Sequence, residues 1–376
     1  MGQFIHTIDG NGHLIGQSIF ISFIMIDITL LDKQNQDAIA DFYAIGSAIR
    51  KSLSAAELNW TDDYGLEQFI QKEGIEVELI RAKGNGHLGR IAVIRFDNQP
   101  DLGILGWYEC GDDDAVSQAL LEAATKQCRA WGCKKVIGPM NGSTWNAYRF
   151  NLTADKPLLP GDPYQPLYYV RQWRDFGFTD KAVYQSDLAP SDLFQPMTLE
   201  EGKELAKQFN LSVDYYPADN QPDFLKKMYQ FYHDCFSMNP LFQSISQDDF
   251  DRLSDQFAKI LNRDCSLIVR DRENKPVSVL LAYRDVYHEL YAAGKTTDPD
   301  HQKKRLFIKT IATHPDYQGK QIGTLLVNLT QNLAKEAGYE EIYHMLMYKD
   351  NLSATKGKEK FVTKKVREYA LMEKSL

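Results

Sequence analysis

Apolar residues recur at helical spacing in two distant segments of the chain. In the later segment they are Ile322, Leu325, Leu326, Leu329, Leu333 and Ala337. In the earlier segment they are Val116, Ala119, Leu120, Ala123, Ala124 and Trp131. Each segment is followed by a glycine, Gly338 or Gly132, and glycine favours the left-handed conformation that ends a helix. The spacing therefore predicts two amphipathic helices that are copies of one plan.

Short segments of alternating apolar and polar residues precede each helix. They are residues 88–96 and 102–110 in the first copy, and residues 266–270, 277–284 and 306–313 in the second. One more strand follows each helix, and residues 271–276 have the composition of a hairpin turn. Antiparallel strands followed by a strand–helix–strand crossover predict an α/β fold with a mixed sheet. We expect two tandem domains, each a mixed β-sheet flanked by helices.

The length of 376 residues suits two domains. The expected boundary divides residues 1–190 from residues 191–376, because the stretch from Gln185 to Pro196 carries Ser, Pro and Asp without clear periodicity. The apolar run from Leu14 to Ile26 is shorter than a membrane span, which takes about 20 residues. We expect this run to be a buried first strand that continues to Ile28.

Composition and charge exclude several classes of function. Apolar residues make up 43% of the chain and charged residues 25%, which is typical of a globular protein. The net charge of −8 leaves no surplus of positive charge for nucleic-acid phosphates, so we expect no nucleic-acid partner. Because the apolar run from Leu14 to Ile26 is too short to span a membrane, we expect no membrane partner either. The five cysteines form no Cys-x-x-Cys pair. They fit free thiols in the cytoplasm, and we expect no metal site.

One loop of the second copy has the composition of a phosphate site. It comprises residues 318–324, between the predicted strand 306–313 and the helix that follows. Backbone N–H groups at a helix N-terminus, together with the helix dipole, form a site for a pyrophosphate. Lys320 adds a full positive charge to this loop.

The run from Ile308 to Leu326 resembles the acetyl-CoA motif of the GNAT acetyltransferase superfamily. Gln318 and Gly323 match the two ends of the motif, and the strand 342–347 followed by Asn351 resembles the next motif. The resemblance implies acetyl-CoA as cofactor and a strand bulge near Ile311, Ala312 and Thr313 that binds the pantetheine arm. It also implies that Asn351 reaches the pantetheine. The pyrophosphate would be held by the amides of Gln318, Gly319, Lys320, Gln321, Ile322, Gly323 and Thr324.

The chain departs from the family pattern at two places. Gln321 stands where the first motif glycine is usual, so a Cβ restricts the backbone there. The residues after Asn351 lack the tyrosine that often protonates the leaving thiolate, which leaves the general acid unassigned. Candidates for the base that deprotonates the acceptor amine are Glu289, His288 and His314, which we expect near the motif strands.

The first copy carries Asp112, Asp113 and Asp114 where the second carries its loop. Clustered carboxylates repel a pyrophosphate, although the same residues also suit an acidic helix N-terminus stabilised by the helix dipole. Either interpretation predicts one coenzyme A site per chain, with a degenerate first domain.

The segment 138–145 resembles a Gly-Pro-Met-Asn segment of two-domain GNAT-like bacterial proteins. It follows a strand, at the end of a sheet where open α/β folds collect ligands. Asn141, Ser143, Thr144 and Trp145 are therefore candidates for the acceptor pocket. The alternative is a turn with a packed tryptophan.

Three functions fit the sequence. The first is an N-acetyltransferase that acts on acetyl-CoA and an amine of a small molecule or peptide. The second is a non-catalytic module that binds acyl-CoA or a partner, and the third is an aminoacyl-transferase. The sequence leaves the acceptor and the oligomeric state open.

Overall fold

The computed structural model describes residues 5–8, 14–17, 26–52, 65–153, 159–163, 165–190, 197–217, 221–239, 241–349 and 363–376. Its strands are β1 Ile5–Ile8, β2 Leu14–Gln17, β3 Asp27–Leu31, β4 Ile75–Gly84, β5 His87–Phe96, β6 Leu102–Cys110, β7 Lys135–Gly138, β8 Phe150–Asn151, β9 Thr179–Pro190, β10 Ser212–Tyr215, β11 Leu267–Arg270, β12 Pro276–Tyr283, β13 Arg305–Thr313, β14 Glu341–Tyr348 and β15 Lys364–Ser375. Its helices are α1 Gln36–Ser52, α2 Leu66–Ile70, α3 Asp114–Ala130, α4 Leu167–Asp175, α5 Leu199–Lys207, α6 Pro222–Phe236, α7 Gln247–Ala258, α8 Val286–Ala292 and α9 Ile322–Glu336.

All of these strands except β1 and β2 form one mixed sheet that runs through both halves of the chain, and β1 pairs with β2 separately. Its order is β10-β11-β12-β13-β14-β9-β15-β7-β6-β5-β4-β3, with β8 paired to β15. Within each half an antiparallel meander leads to one parallel pair, β6 with β7 and β13 with β14. The long helices α3 and α9 connect the strands of these parallel pairs. This topology confirms the predicted mixed α/β fold with two related halves.

The predicted helices and their ends are confirmed. α3 and α9 bury the expected apolar faces, including Leu120 and Leu326. Gly132 and Gly338 follow the helices with φ of 83° and 75°, the left-handed conformation that stops a helix. α9 packs with α5 on one face of the second half, while α6 and α7 cover the other face.

The centre of the sheet joins the two halves. β9 lies between β14 and β15, and β15 continues the sheet to β7. The sequence pattern placed an irregular seam from Gln185 onward, but residues 185–190 belong to β9. Gln185 and Ser186 are buried in this strand. Their polar groups have partners there, since Gln185 donates to Asp187 and Ser186 bonds the Tyr369 hydroxyl. Paired polar side chains thus allow a central strand to look like a linker. The division at residue 190 stays a prediction.

In the part of the chain that the structure describes, no helix combines the length and the apolar character needed to cross a bilayer. The apolar run 14–26 falls mostly outside the described residues, with β2 at its start and Ile26 just before β3.

Candidate functional site

A gap opens between β13 and β14 in the second half. The two strands pair from Arg305 with Glu341 to Ile308 with His344, and no further pairs follow among the described residues. β13 nevertheless continues to Thr313 and remains paired with β12 on its other side. The free edge of β13 therefore faces an opening in the middle of the sheet.

A bulge in β13 marks the start of this gap. Ala282 of β12 opposes Ile308 and its neighbour Leu281 opposes Thr310, so Lys309 is the extra residue. The expected position at Ile311, Ala312 and Thr313 was wrong, since these three residues pair in regular register with β12. Residue type does not reveal a bulge that is defined by pairing to another strand.

The backbone beyond the bulge still presents groups to the gap. The His314 N–H donates to the Val277 carbonyl at 2.9 Å. Bonded and non-bonded pairs alternate in an antiparallel ladder, so the backbone groups of Ile311 and Thr313 point away from β12 and towards the gap. One of them, the Thr313 carbonyl, accepts a hydrogen bond from Gln318 Nε2 at 3.2 Å. This edge suits an amide-bearing chain such as pantetheine.

The gap leads to the uncapped N-terminus of α9. The first hydrogen bond of this helix runs from the Leu325 N–H to the Gln321 carbonyl at 3.0 Å. The N–H groups of Ile322, Gly323 and Thr324 precede that bond, and no side chain caps this helix end. Lys320 lies beside it, with Nζ 4.6 Å from the centre of the Tyr317 ring. The geometry suits a diphosphate.

Gly323 places the helix end against the gap. A Cβ added there would lie 3.6 Å from Ile311 Cγ2 and 3.8 Å from Thr313 Oγ1, which are ordinary contact distances. Loop and gap therefore form one continuous groove. Asn351, the expected pantetheine contact, lies outside the described residues.

Gln321 has a left-handed backbone, with φ of 60° and ψ of 16°. A side chain in this conformation costs about 1 kcal/mol relative to glycine. We expect Gln321→Gly to be more stable than Gln321→Ala by about 1 kcal/mol in urea unfolding, because both remove the side chain and only glycine relieves the backbone. Equal stability of the two variants would contradict a left-handed residue at this position.

The first half has the same bulge and gap, but its own chain fills the gap. β6 pairs with β7 only from Leu102 to Ile104, and two residues, Trp107 and Tyr108, oppose one residue of β5. The segment after β7 then enters the space: the Met140 N–H donates to the Leu105 carbonyl at 2.8 Å. The Asn141 side chain accepts from the Trp107 N–H at 2.7 Å. Asn141 therefore has a structural partner at the place where the second half is open.

The acidic residues at the start of α3 are also engaged. Asp113 caps the helix by accepting from the Val116 N–H at 2.8 Å. Asp112 and Asp114 pair with Arg171 at 2.8 and 3.0 Å. The start of α3 is therefore capped by a side chain and lies beside a filled gap, whereas no side chain caps the start of α9.

The three base candidates do not lie together. His314 follows β13 on the loop side, with Nε2 3.8 Å from an Asp234 carboxylate oxygen. His288 and Glu289 lie on α8. α8 is joined to the opposite end of β13 through the ion pair of Asp285 with Arg305, at 2.6 Å.

At about 3.3 Å per residue, the nine residues of β13 separate the two groups by roughly 26 Å. His288 Nδ1 is 3.0 Å from the His301 carbonyl oxygen, and Glu289 pairs with Arg284 at 3.1 Å. Both side chains are therefore held at the end of the strand that lies away from the cofactor loop.

The four candidates for the acceptor pocket do not all line the same cavity. Ser143 and Trp145 line a cavity of about 600 Å³ between the first half and α7, whereas Asn141 and Thr144 are not part of its lining. Trp145 packs edge-on against Phe250, and its Nε1 donates to the Gln243 carbonyl at 2.8 Å. The segment 138–145 therefore contains a packed tryptophan and also contributes residues to the wall of a cavity.

Sequence reasoning missed a cluster of charged residues near the bulge. Lys309, the bulge residue, lies near Arg149 and Asp162 of the first half. Desolvation lowers the pKa of Lys309 to about 8. No spacing in the sequence connects residues so far apart, so the sequence alone gave no signal for this cluster.

Comparisons with known proteins agree with this fold. The acetyltransferase (GNAT) family profile matches residues 225–356. A tandem GNAT protein from the clavulanic acid biosynthesis pathway is similar in structure, with a TM-score of 0.52 and 11% identity over 93% of this chain and 98% of that one. A GCN5-related N-acetyltransferase from Anabaena variabilis gives a TM-score of 0.51 and 11% identity over 93% and 73% of the two chains.

The glucosamine N-acetyltransferase region of a fungal multi-domain β-N-acetylglucosaminidase is also similar, with a TM-score of 0.51 and 14% identity. The match covers 94% of this chain and 38% of that protein. At such identities the likeness concerns the fold alone. No curated protein matches the chain in sequence.

Proposed function

We propose that this chain, whose residues 225–356 match the acetyltransferase (GNAT) family profile, is an acetyl-CoA-dependent N-acetyltransferase. The second half would hold acetyl-CoA and the first half would shape the acceptor pocket. We place the division between them near residue 190. We also propose a cytoplasmic location, because all five cysteines are free thiols.

The contrast between the two gaps carries this proposal. In the second half the edge of β13 is open and leads to the uncapped start of α9. In the first half the equivalent opening holds Met140 and Asn141. A pantetheine arm with its diphosphate therefore fits one half of the chain, which predicts one cofactor site.

The groove also suits the chemistry of acetyl transfer. A lysine-like amine with a pKa near 10.4 is neutral in only about one molecule in 2,500 at pH 7, so the acceptor must lose a proton before it attacks. Backbone N–H groups near the bulge would stabilise the oxyanion that forms on the thioester carbonyl. We propose that the amine proton leaves through water, because His288 and Glu289 are engaged at the far end of β13.

Calorimetry and thiol release test the proposal. We expect one acetyl-CoA per chain, and release of coenzyme A thiol when a panel of amines is supplied. Two sites, or none, would contradict the assignment to the second half.

Binding without thiol release from any amine would instead favour an acyl-CoA-binding module. The observation that supports this second function is Gln321, which stands in the loop where the family motif usually has its first glycine.

A further inference from the structure

Lys309 has a confined environment at the bulge. Its Nζ lies 5.7 Å from the centre of the Phe257 ring and 6.0 Å from that of Tyr283. It also lies against the backbone of Gly161, where an added Cβ would be 2.9 Å from Nζ. Desolvation and the nearby charge of Arg149 lower the pKa of Lys309, while Asp162 raises it. The ammonium group is therefore enclosed by aromatic rings and by a loop of the first half.

Arg149 is a second enclosed cation in the same place. Its side chain is held between two tyrosines, with Cζ 3.8 Å from the centre of the Tyr148 ring and 4.1 Å from that of Tyr184. The residue is only 7% exposed. Nε donates to the Tyr148 carbonyl at 3.3 Å, but Nη1 is buried and has no hydrogen-bond partner among the described residues. A buried donor without a partner costs about 1–3 kcal/mol.

The nearby carboxylate already has other partners. Asp162 accepts from the Tyr369 hydroxyl and from the Leu159 N–H, and Arg367 Nε lies 3.5 Å from it. Within the described ranges, neither Arg149 nor Lys309 has a carboxylate at ion-pair distance. Two enclosed cations that share one already paired anion leave an excess of positive charge, which a bound anion would neutralise.

We propose that Arg149 and Lys309 bind an anionic oxygen group of the acceptor, a carboxylate or a phosphate. The acceptor is then an amine that also carries this anion. The inference rests on the proposed function, and it follows from the position of the pair: Lys309 is the residue at which β13 leaves β14. Binding requires the charged form of Lys309, so it weakens as the pH rises through and above the pKa of this lysine.

Chemical labelling of Lys309 tests the site without acetyl-CoA. The whole protein is treated with trinitrobenzenesulfonate, and labelled lysines are identified by mass spectrometry. Lys134, whose side chain is 76% exposed, is the internal reference. The probes are glutarate, inorganic phosphate and neutral glutaramide. At about ten times its dissociation constant, a bound anion should slow the labelling of Lys309 about tenfold and leave Lys134 unchanged.

The anion that protects identifies the group on the acceptor. Arg149→Met should remove the protection, and Arg149→Lys, which keeps the charge, should retain part of it; thermal unfolding checks that both variants are folded. Protection by glutaramide, no protection by either anion, or full protection in Arg149→Met would overturn the proposal. Because the assay contains no acetyl-CoA, its failure is distinct from a failure of cofactor binding in calorimetry.

Discussion

Gly323→Asp is expected to weaken acetyl-CoA binding about a hundredfold or more, because two like charges about 4 Å apart repel by about 4 kcal/mol at an effective dielectric constant near 20. Gly323 lies at the uncapped start of α9, where the diphosphate would sit. A Cβ fits there without a clash, with its nearest neighbour at 3.6 Å. A carboxylate near a helix N-terminus is favourable for the helix itself, so the variant should remain folded.

Gly323→Asn is the matched control, because asparagine has nearly the same shape and no charge. We expect it to lose about tenfold or less in affinity. Calorimetry on both variants, with unfolding curves to show that they are folded, measures the difference. If aspartate and asparagine weakened binding equally, the effect would be steric and the diphosphate site would lie elsewhere.

Gly106→Ala is expected to destabilise the protein by about 3 kcal/mol or more in urea unfolding, because overpacking against a fixed backbone cannot be relieved by a rotamer change. A Cβ at this position would lie 2.2 Å from the Met140 carbonyl oxygen and 3.1 Å from Asn141 Cα. These are backbone atoms of the segment that fills the gap in the first half. The variant therefore measures how tightly that gap is closed.

Two further variants test whether the effect of Gly106→Ala comes from the filled gap. Gly323→Ala adds the same methyl group at the open gap, where the nearest atom is at 3.6 Å, and it should leave the stability almost unchanged. Asn141→Ala removes the acceptor of the Trp107 N–H and should cost about 1–3 kcal/mol, the penalty of a buried donor without a partner. If Gly106→Ala unfolded at the same urea concentration as the unmodified protein, Met140 and Asn141 would not occupy the gap.

Much of the fold could be predicted from local patterns. The apolar stripe through Leu326 predicted α9, and Gly338 predicted its end, because one helix face must be buried and one residue must turn left-handed. The strands β6 and β13 were predicted to within one residue at each end. Their alternation is a property of the strand itself, so a single sequence is sufficient to reveal it.

The features that depend on distant partners could not be predicted. Ser186 looks like part of a linker because the hydroxyl that satisfies it, that of Tyr369, comes from β15. The bulge at Lys309 is defined by its pairing with β12. The position of His288 and Glu289 on α8, which the ion pair of Asp285 with Arg305 joins to the start of β13, also depends on contacts between distant residues.

The candidate site also combines a feature that the local sequence reveals with features that depend on distant contacts. The loop 318–324 could be identified because its glycines and its position before α9 are contiguous in the chain. The pair of Arg149 and Lys309 could not, because it joins residues from both halves. The filled gap of the first half was also hidden, since Asn141 reaches the Trp107 N–H only after β6 and β7 have come together.

A crystal structure of the protein soaked with coenzyme A shows where the cofactor binds. We expect one molecule per chain, with its diphosphate on the N–H groups of Ile322 to Thr324 and its pantetheine arm along the edge of β13. Density for the cofactor between β6 and β7, or a coenzyme A that avoids the start of α9, would contradict this expectation.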